Sequence, residues 1–427
     1  MASTMSTPVL LGGLPSVTLP RPGWPVVDAA DVEAVAAVVR SGVWSWVGPQ
    51  ERAFCEEYAR FLGCRYCLCL ANGTVTLQCA LQAVGVEPGD EVIVPGLTWV
   101  ATAQAALDIG AEVVFADVNP RTMGLDPASL EAAITPRTRA VVPVHLYGCM
   151  ADMDAILEIA RRHGLRVVED VAHQHGSRWR GQAAGTLGDA GSFSFQQSKV
   201  LTSGEGGAVA CNDPEVYRTV FALKQVGWAP AEPERAPFEG LVAARRYGHN
   251  YRITEMQAAL LRGGLRRLAE QTARREASAQ ALAAGLAALG GPLQAVPRDE
   301  RVTTQAYYAM TLHFDPDLAG GLTREQYLRA VQAEGLSLGV PYTAVYRHPL
   351  LNLDDRTSPL PYRQRAGRQD YASLALPGVE AATTRTGVIL MHQALLGSQA
   401  YLEQILQAVR KVNDHLEPLR KALAEKA

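Results

Sequence analysis

Apolar positions recur every three to four residues in two early stretches, 28–42 ("DAADVEAVAAVVRSG") and 51–63 ("ERAFCEEYARFLG"), and each stretch closes on glycine. That period lays one apolar stripe along a helix, and a glycine just past it is a stop signal. The pattern then changes. Short unbroken apolar runs ("CLCLA", "DEVIVP", "EVVFADV", "RAVVPVHLYG", "RVVED") alternate with helix-period segments ("GTVTLQCALQAVGV", "ATAQAALDIG", "PASLEAAI", "MDAILEIARRHG"). Unbroken runs rich in Val and Ile suit strands buried on both faces. Their alternation with helices predicts an α/β fold with a mostly parallel central sheet sandwiched by helices.

Residues 252–289 carry a long helical pattern without a strict heptad, which predicts a connector helix rather than a coiled coil. Beyond it, "AYYAMTLHF" reads as a strand and "TREQYLRAVQAEG" as a helix, the start of a smaller α+β domain. The expected division is an N-terminal arm over 1–27, a large α/β domain over 28–265, and the connector helix with a small C-terminal α+β domain over 266–427. The stretch 228–248, rich in Pro, Ala and charge, reads as a surface loop.

Composition agrees. A chain of 427 residues, 48% hydrophobic, can bury one large core and a second smaller one. Its net charge of −3 gives no basic face for nucleic acid. No apolar run is long enough to span a bilayer, and the first twenty residues lack the basic and apolar regions of a leader. The expectation is a soluble, cytoplasmic protein. Seven cysteines, an odd number, fit reduced thiols. Cys64, Cys67 and Cys69 lie in an apolar run with no second ligand pair at zinc spacing, so they read as core residues and no metal site is expected.

Only five of the 40 basic residues are lysines, which draws the eye to Lys199 in "SFSFQQSKVLTSGEGGAV". Ligands of open α/β sheets bind beyond the carboxyl ends of the strands. Three groups fall at such places. "LANGT" sets Gly73 and Thr74 at the start of a helix, where free N–H groups and the dipole suit a phosphate. "RVVED" ends on Asp170, a carboxylate that needs a partner if buried. Lys199 follows a strand. Taken singly, these are a common turn, a helix cap and a surface cation. Together they meet the needs of pyridoxal 5′-phosphate: a phosphate cup, an acid opposite the ring nitrogen and a lysine for the Schiff base.

The motifs "SFSFQQSKVLTSGEGG", "VVEDVAHQHG" and "GHNYRITEMQAAL" resemble those of the DegT/DnrJ/StrS family of sugar and cyclitol aminotransferases, which have the fold-type I architecture of pyridoxal-phosphate enzymes. The likeness runs from about Pro20 to the C-terminus. It implies that Lys199 bonds the cofactor and Asp170 pairs with its ring nitrogen. It implies that Gly73, Thr74 and Ser194 hold the phosphate, that His173 lies near the ring hydroxyl, and that Trp99 stacks on the ring. Asn250 matches an asparagine that reaches the phosphate from the other subunit, which implies a homodimer.

The "QQSK" form, where many relatives resemble S-F-H-x-x-K, is closer to the cyclitol branch. That branch implies L-glutamine as donor and 2-deoxy-scyllo-inosose as acceptor, giving 2-deoxy-scyllo-inosamine for 2-deoxystreptamine aminoglycoside antibiotics. Scyllo-inosose, a later amino-dideoxy-inosose and a nucleotide-linked keto-sugar are alternative acceptors. A dehydratase of this fold would have histidine in place of Lys199. A non-catalytic regulatory protein would not need Lys199 and Asp170. In "GVPYTAVYRHPLLN" (339–352), Tyr342, Tyr346 and Arg347 are candidates for the substrate side, unless the stretch is a structural loop.

Overall fold

The computed structural model describes residues 6–46, 48–232, 240–351 and 369–424. The first helices form where the pattern places them, α1 over Ala29–Ser41 and α2 over Pro49–Leu62. Asp28 and Asp31 cap α1 reciprocally, and Pro49 opens α2 where a missing N–H costs nothing. Gly42 and Gly63 end them with φ of +70° and +78°.

The central sheet has seven strands: β1 (Tyr66–Leu70), β2 (Glu91–Pro95), β3 (Glu112–Ala116), β4 (Thr138–Val141), β5 (Arg166–Asp170), β6 (Ala190–Ser194) and β7 (Gly207–Cys211), ordered β1-β7-β6-β5-β4-β2-β3. Only β7 runs against its neighbours. Helices α3 (Gly73–Ala83), α4 (Ala101–Asp108), α5 (Pro127–Ala132) and α6 (Met153–His163) occupy the crossovers, and α7 (Pro214–Lys224) follows the last strand. Two details differ from the sequence pattern. The run "RAVVPVHLYG" is a strand only to Val141, because Pro143 has no N–H to give a ladder, and pairing resumes as a single bridge from Val144 to Asp170. The glycines after Lys199 do more than turn the chain: Gly207 starts β7, a strand that pairs with both β6 and β1.

Helix α8, Glu255–Leu289, is capped reciprocally by Thr254 and Gln257. Its Leu261 and Leu268 lie in the core beneath the sheet. Its Ala279, Leu282 and Leu286 lie in a second core with Val17, β8 (Leu293–Ala295), β9 (Ala309–Phe314), β10 (Gly387–Met391), α9 (Arg324–Ala333) and α10 (Gln399–Asn413). A last helix, α11, spans Leu416–Ala424. Val345, Tyr346 and Val379, far along the chain, return to the first core. The stretch read as a loop is in part a hairpin: Trp228–Pro230 pairs antiparallel with Leu241–Ala243, while 233–239 lies outside the described residues. Among the described residues no helix is long and apolar enough to cross a membrane.

A fully buried carboxylate, Glu169, ties the sheet to the loop that feeds β6. It accepts N–H bonds from Gly185 (2.8 Å), Leu187 (2.7 Å) and Gly188 (2.8 Å) and lies 2.9 Å from His145 Nε2. Ala151 N–H donates to His145 Nδ1, so the imidazole proton sits on Nε2 and points at Glu169. Charge-assisted bonds of this kind are costly to leave half made. The Glu169→Gln protein should lose roughly 3 kcal/mol of unfolding free energy in a urea titration, because one amide N–H would then face a backbone N–H. An unchanged midpoint would show that the loop does not depend on the carboxylate.

Candidate active site

The carboxyl ends of β1, β2, β5 and β6 open into a cavity of about 620 Å³. Gly73, Thr74, Trp99, Asp170, His173, Ser194, Lys199 and Tyr342 all line it. Gly73 and Lys199, 126 positions apart in sequence, are brought to one chamber by strand order, and Tyr342 joins them from the far part of the chain.

Asp170 is the last residue of β5 and is buried. Its carboxylate accepts from Thr102 Oγ1 (2.8 Å) and from Ala172 N–H (3.1 Å). Neither partner is a cation, and burial raises its pKa above the ordinary 3.8. Lys199 is also buried, and its ammonium sits 4.8 Å over the Tyr308 ring. Burial lowers its pKa from 10.5 to about 8, against a smaller upward pull from Asp170.

The loop that holds the lysine explains "QQSK". Gln196 Oε1 accepts from Ser198 N–H (2.8 Å) and Ser198 Oγ (2.7 Å), while Lys199 N–H donates to the Gln196 carbonyl (2.9 Å). Ser198 Oγ also meets Tyr308 Oη at 3.0 Å, and its carbonyl accepts from His392 Nε2 at 3.0 Å. Gln197 faces solvent.

His173 is buried and its pKa falls well below 6.5, chiefly through burial. Its Nδ1 accepts the Tyr147 N–H at 3.2 Å, so the neutral ring carries its proton on Nε2. Tyr308 stacks on it at 3.8 Å and 14°. Tyr147 itself holds a φ of +52°, a strained value for a side chain of that size. Its Oη accepts the Tyr342 N–H at 2.8 Å. Tyr147, Tyr308, Thr102 and Ser198 were not singled out from the sequence. Tyr147, Tyr308 and Thr102 lie in apolar or helical runs whose pattern signals core, and only the fold turns them toward the site; Ser198 stands in the lysine motif itself.

The residues fit the cofactor that the motifs imply. Asn72 caps α3 by accepting the Val75 N–H (3.0 Å), and the N–H groups of Gly73 and Thr74 have no partner within the helix. A Cβ added at Gly73 would stand 2.7 Å from Ser194 Cβ, so only glycine leaves this cradle open. Ser194 Oγ accepts one long bond from Gln196 N–H (3.4 Å), which leaves its own proton for a phosphate oxygen. Asp170 has room for a cationic N–H. Trp99 leaves 56% of its surface exposed beside Tyr342, 5.3 Å away, a face that a flat ring would cover.

Other expected residues lie elsewhere. Asn250 is exposed, bridges to Gln225 and does not line the cavity of its own chain. Tyr346 is buried, donates to Glu380 Oε1 (2.9 Å) and packs on Phe115. Arg347 donates to the Ala372 carbonyl and to the Leu374 carbonyl (2.7 Å), tying the 345–347 turn to the segment around Ala372. Of the substrate candidates in 339–352, the structure brings only Tyr342 to the cavity; Asn352 lies outside the described residues.

Residues 25–385 match the DegT/DnrJ/EryC1/StrS aminotransferase family. A protein of Streptoalloteichus tenebrarius, named provisionally as an L-glutamine:3-amino-2,3-dideoxy-scyllo-inosose aminotransferase, is 41% identical over 96% of this chain and 99% of its own length. The L-glutamine:2-deoxy-scyllo-inosose aminotransferase of the same organism is 39% identical over 96% of this chain and 98% of its own. Among solved structures, 3-amino-5-hydroxybenzoic acid synthase superposes with a TM-score of 0.79 at 31% identity, covering 95% of this chain and 99% of that one. The aminotransferase from Psychrobacter cryohalolentis does so with a TM-score of 0.82 at 30% identity, covering 93% and 100%.

Two outcomes test this site. Gly73→Ala should weaken pyridoxal phosphate at least roughly tenfold in an absorbance titration, since the added methyl fills the cradle. Lys199→Met should stabilise the cofactor-free protein at pH 7. The sign follows from the depressed pKa: between about 8 and 10.5 the unfolded chain binds more protons, so wild-type stability rises with pH across that window. The gain from Met should be at most ~3 kcal/mol at pH 7 and should shrink by pH 10, as read by thermal unfolding.

Proposed function

We propose a reaction from a plain premise: this chain belongs to the DegT/DnrJ/EryC1/StrS aminotransferase family, and it is a pyridoxal-phosphate-dependent aminotransferase. The amino donor is L-glutamine and the acceptor a keto-cyclitol, 2-deoxy-scyllo-inosose, whose amination gives 2-deoxy-scyllo-inosamine on the way to 2-deoxystreptamine antibiotics. The observation that carries this reading is the run of relatives, 38–41% identical over nearly the whole chain, whose names all specify L-glutamine and an inosose. The cavity supports it. Lys199 is its only Lys or Arg among the described lining residues, while Asp108, Asp170 and Glu205 are acids. A nucleotide-linked sugar would bring a diphosphate with no arginine fork from this chain to receive it.

Bound pyridoxal phosphate supplies an electron-accepting ring and carries the amino group from donor to acceptor. Lys199 Nζ anchors it and, once displaced, takes and returns a proton at the reacting carbon. A base poised near pH 8 suits both directions, and burial is what brings it there. Asp170 Oδ holds the ring-nitrogen proton, steadied by Thr102. His173 Nε2–H would face the ring hydroxyl of the bound cofactor as a donor. Tyr308 and Ser198 keep the amine from swinging away, through the ring contact and the 3.0 Å hydroxyl bond.

A second acceptor has its own support. Relatives named for 3-amino-2,3-dideoxy-scyllo-inosose are 38–41% identical and those named for 2-deoxy-scyllo-inosose 39–40%, so identity does not separate the two aminations. Asp108 and Glu205 offer carboxylates to an acceptor that already carries an amine. The enzyme would then act twice in one sequence.

We also propose that two chains pair in the cytoplasm and that Asn250 reaches the partner's phosphate cup. Asn250 stands outside its own cavity, and Trp44, Trp46, Trp228 and Tyr247 leave large apolar faces exposed.

The first test offers L-glutamine with each of four ketones, 2-deoxy-scyllo-inosose, its amino-dideoxy analogue, scyllo-inosose and a nucleotide-linked 4-keto-sugar, and weighs the products. Amination of the two deoxy cyclitols is expected; turnover of the nucleotide sugar alone would overturn the acceptor assignment. Lys199→Ala should lose at least ~10³-fold in turnover. Asn250→Ala should weaken cofactor binding without dissociating the pair in light scattering, and a fully active monomer would refute the shared site.

A further inference from the structure

The amino-transfer chemistry leaves one reactive cluster unused. Cys55 stands on α2 and Cys69 on β1, and their Sγ atoms are 3.6 Å apart. That is contact distance, short of a disulfide's ~2.05 Å. Cys67 lies two residues earlier on β1 and therefore on the same strand face. Beside them is a buried cation: Lys224 Nζ donates to the Cys69 carbonyl at 2.7 Å and to Glu51 Oε1 at 2.5 Å.

A cysteine is reactive when its thiolate is favoured and it can be reached. Of the three thiols Cys55 comes nearest to both conditions. It is half-buried, whereas Cys67 and Cys69 are fully buried. Hydrogen bonds from the Cys67 and Cys69 thiols, with the Lys224 charge behind them, hold its pKa well below the ordinary 9.0. Burial pushes the other thiols the opposite way, Cys64 and Cys149 to about 11, Cys79 and Cys211 to about 12.

We infer that Cys55 and Cys69 form an oxidation site in which a hydroperoxide converts Cys55 to a sulfenic acid and Cys69 then closes a disulfide between α2 and β1. In the first step the Cys55 sulfur attacks one peroxide oxygen, the O–O bond breaks and the departing oxygen leaves as water or alcohol after taking a proton. In the second, the Cys69 sulfur attacks the Cys55 sulfur, the S–O bond breaks, and hydroxide leaves with the Cys69 proton as a second molecule, water. Two thiols are oxidised and one peroxide is reduced. Cys67 also bonds the Cys55 thiol; Cys69 is assigned as the resolving thiol on its 3.6 Å sulfur contact, and the Cys67→Ala variant distinguishes the two. The link lies three residues before Asn72, which caps the phosphate cradle.

The test uses the holoenzyme treated with hydrogen peroxide, followed by intact mass and peptide mapping. Wild type should lose two hydrogens and yield a linked Cys55–Cys69 peptide. Cys55→Ala should abolish that link. Cys69→Ala should stop at a Cys55 sulfenic acid, trapped by dimedone. Cys67→Ala should still form the disulfide. Cys55 is half-buried, so its alanine variant tests the idea even if Cys69→Ala fails to fold. A link between other cysteines, a product unchanged in Cys55→Ala, or no loss of hydrogen under excess peroxide would overturn the assignment.

Discussion

The site depends on a buried carboxylate whose hydrogen bonds come from a hydroxyl and an amide and not from a cation. Asp170 is closed from water, bonded by a hydroxyl and one N–H, and its pKa is raised by burial. Such a group costs folding free energy unless a positive partner arrives. The protonated ring nitrogen of bound pyridoxal phosphate would be that partner. Lys199 is the complement, an amine buried until its charge becomes costly. The chain therefore spends stability to hold an acid and a base in states that water would not favour.

That arrangement needs a stiff frame, and the frame is polar. Glu169 sits one residue before Asp170 and points the other way, as alternation along a strand requires. It locks the loop over 185–188 and His145, and the His145 N–H returns to the Asp170 carbonyl at 3.0 Å. On the opposite wall Tyr308 touches Lys199 and His173 at once, and His392 supports the Ser198 carbonyl. Tyr308 directly precedes β9 and His392 directly follows β10, strands whose Met310, Leu312 and Leu390 lie in the second core. Lys199 is thus held from both sheets, with α8 running through the two cores as their common strut.

The proposed preference for a small cyclitol rests on the cavity's character more than on any single side chain. Its lining from this chain is aromatic, amide and acidic, with Trp99 and Tyr342 presenting flat faces and no arginine among the described lining residues. Flat apolar faces and hydrogen-bonding rims suit a polyhydroxylated ring; they do not suit a diphosphate.

The sequence by itself determined the α/β class, the strands from β1 to β6, the long helix and the cup–acid–lysine order. Those features rest on local physics: unbroken Val and Ile runs, helix periods closed by glycine, and chemistry placed at strand ends. The tertiary structure alone decided which long-range partners meet. The pattern of "AYYAMTLHF" shows a strand, yet its Tyr308 faces the lysine because β9 packs against the lysine loop. "GVPYTAVYRHPLLN" offered Tyr342, Tyr346 and Arg347 alike. Only Tyr342 reaches the cavity, since Tyr346 is drawn into the first core and Arg347 is held by the carbonyls of Ala372 and Leu374. The second glutamine of "QQSK" faces solvent while the first caps the lysine turn. Periodicity reports which face of an element is buried. It carries no information about which distant surface that face meets, and the site is made of such meetings.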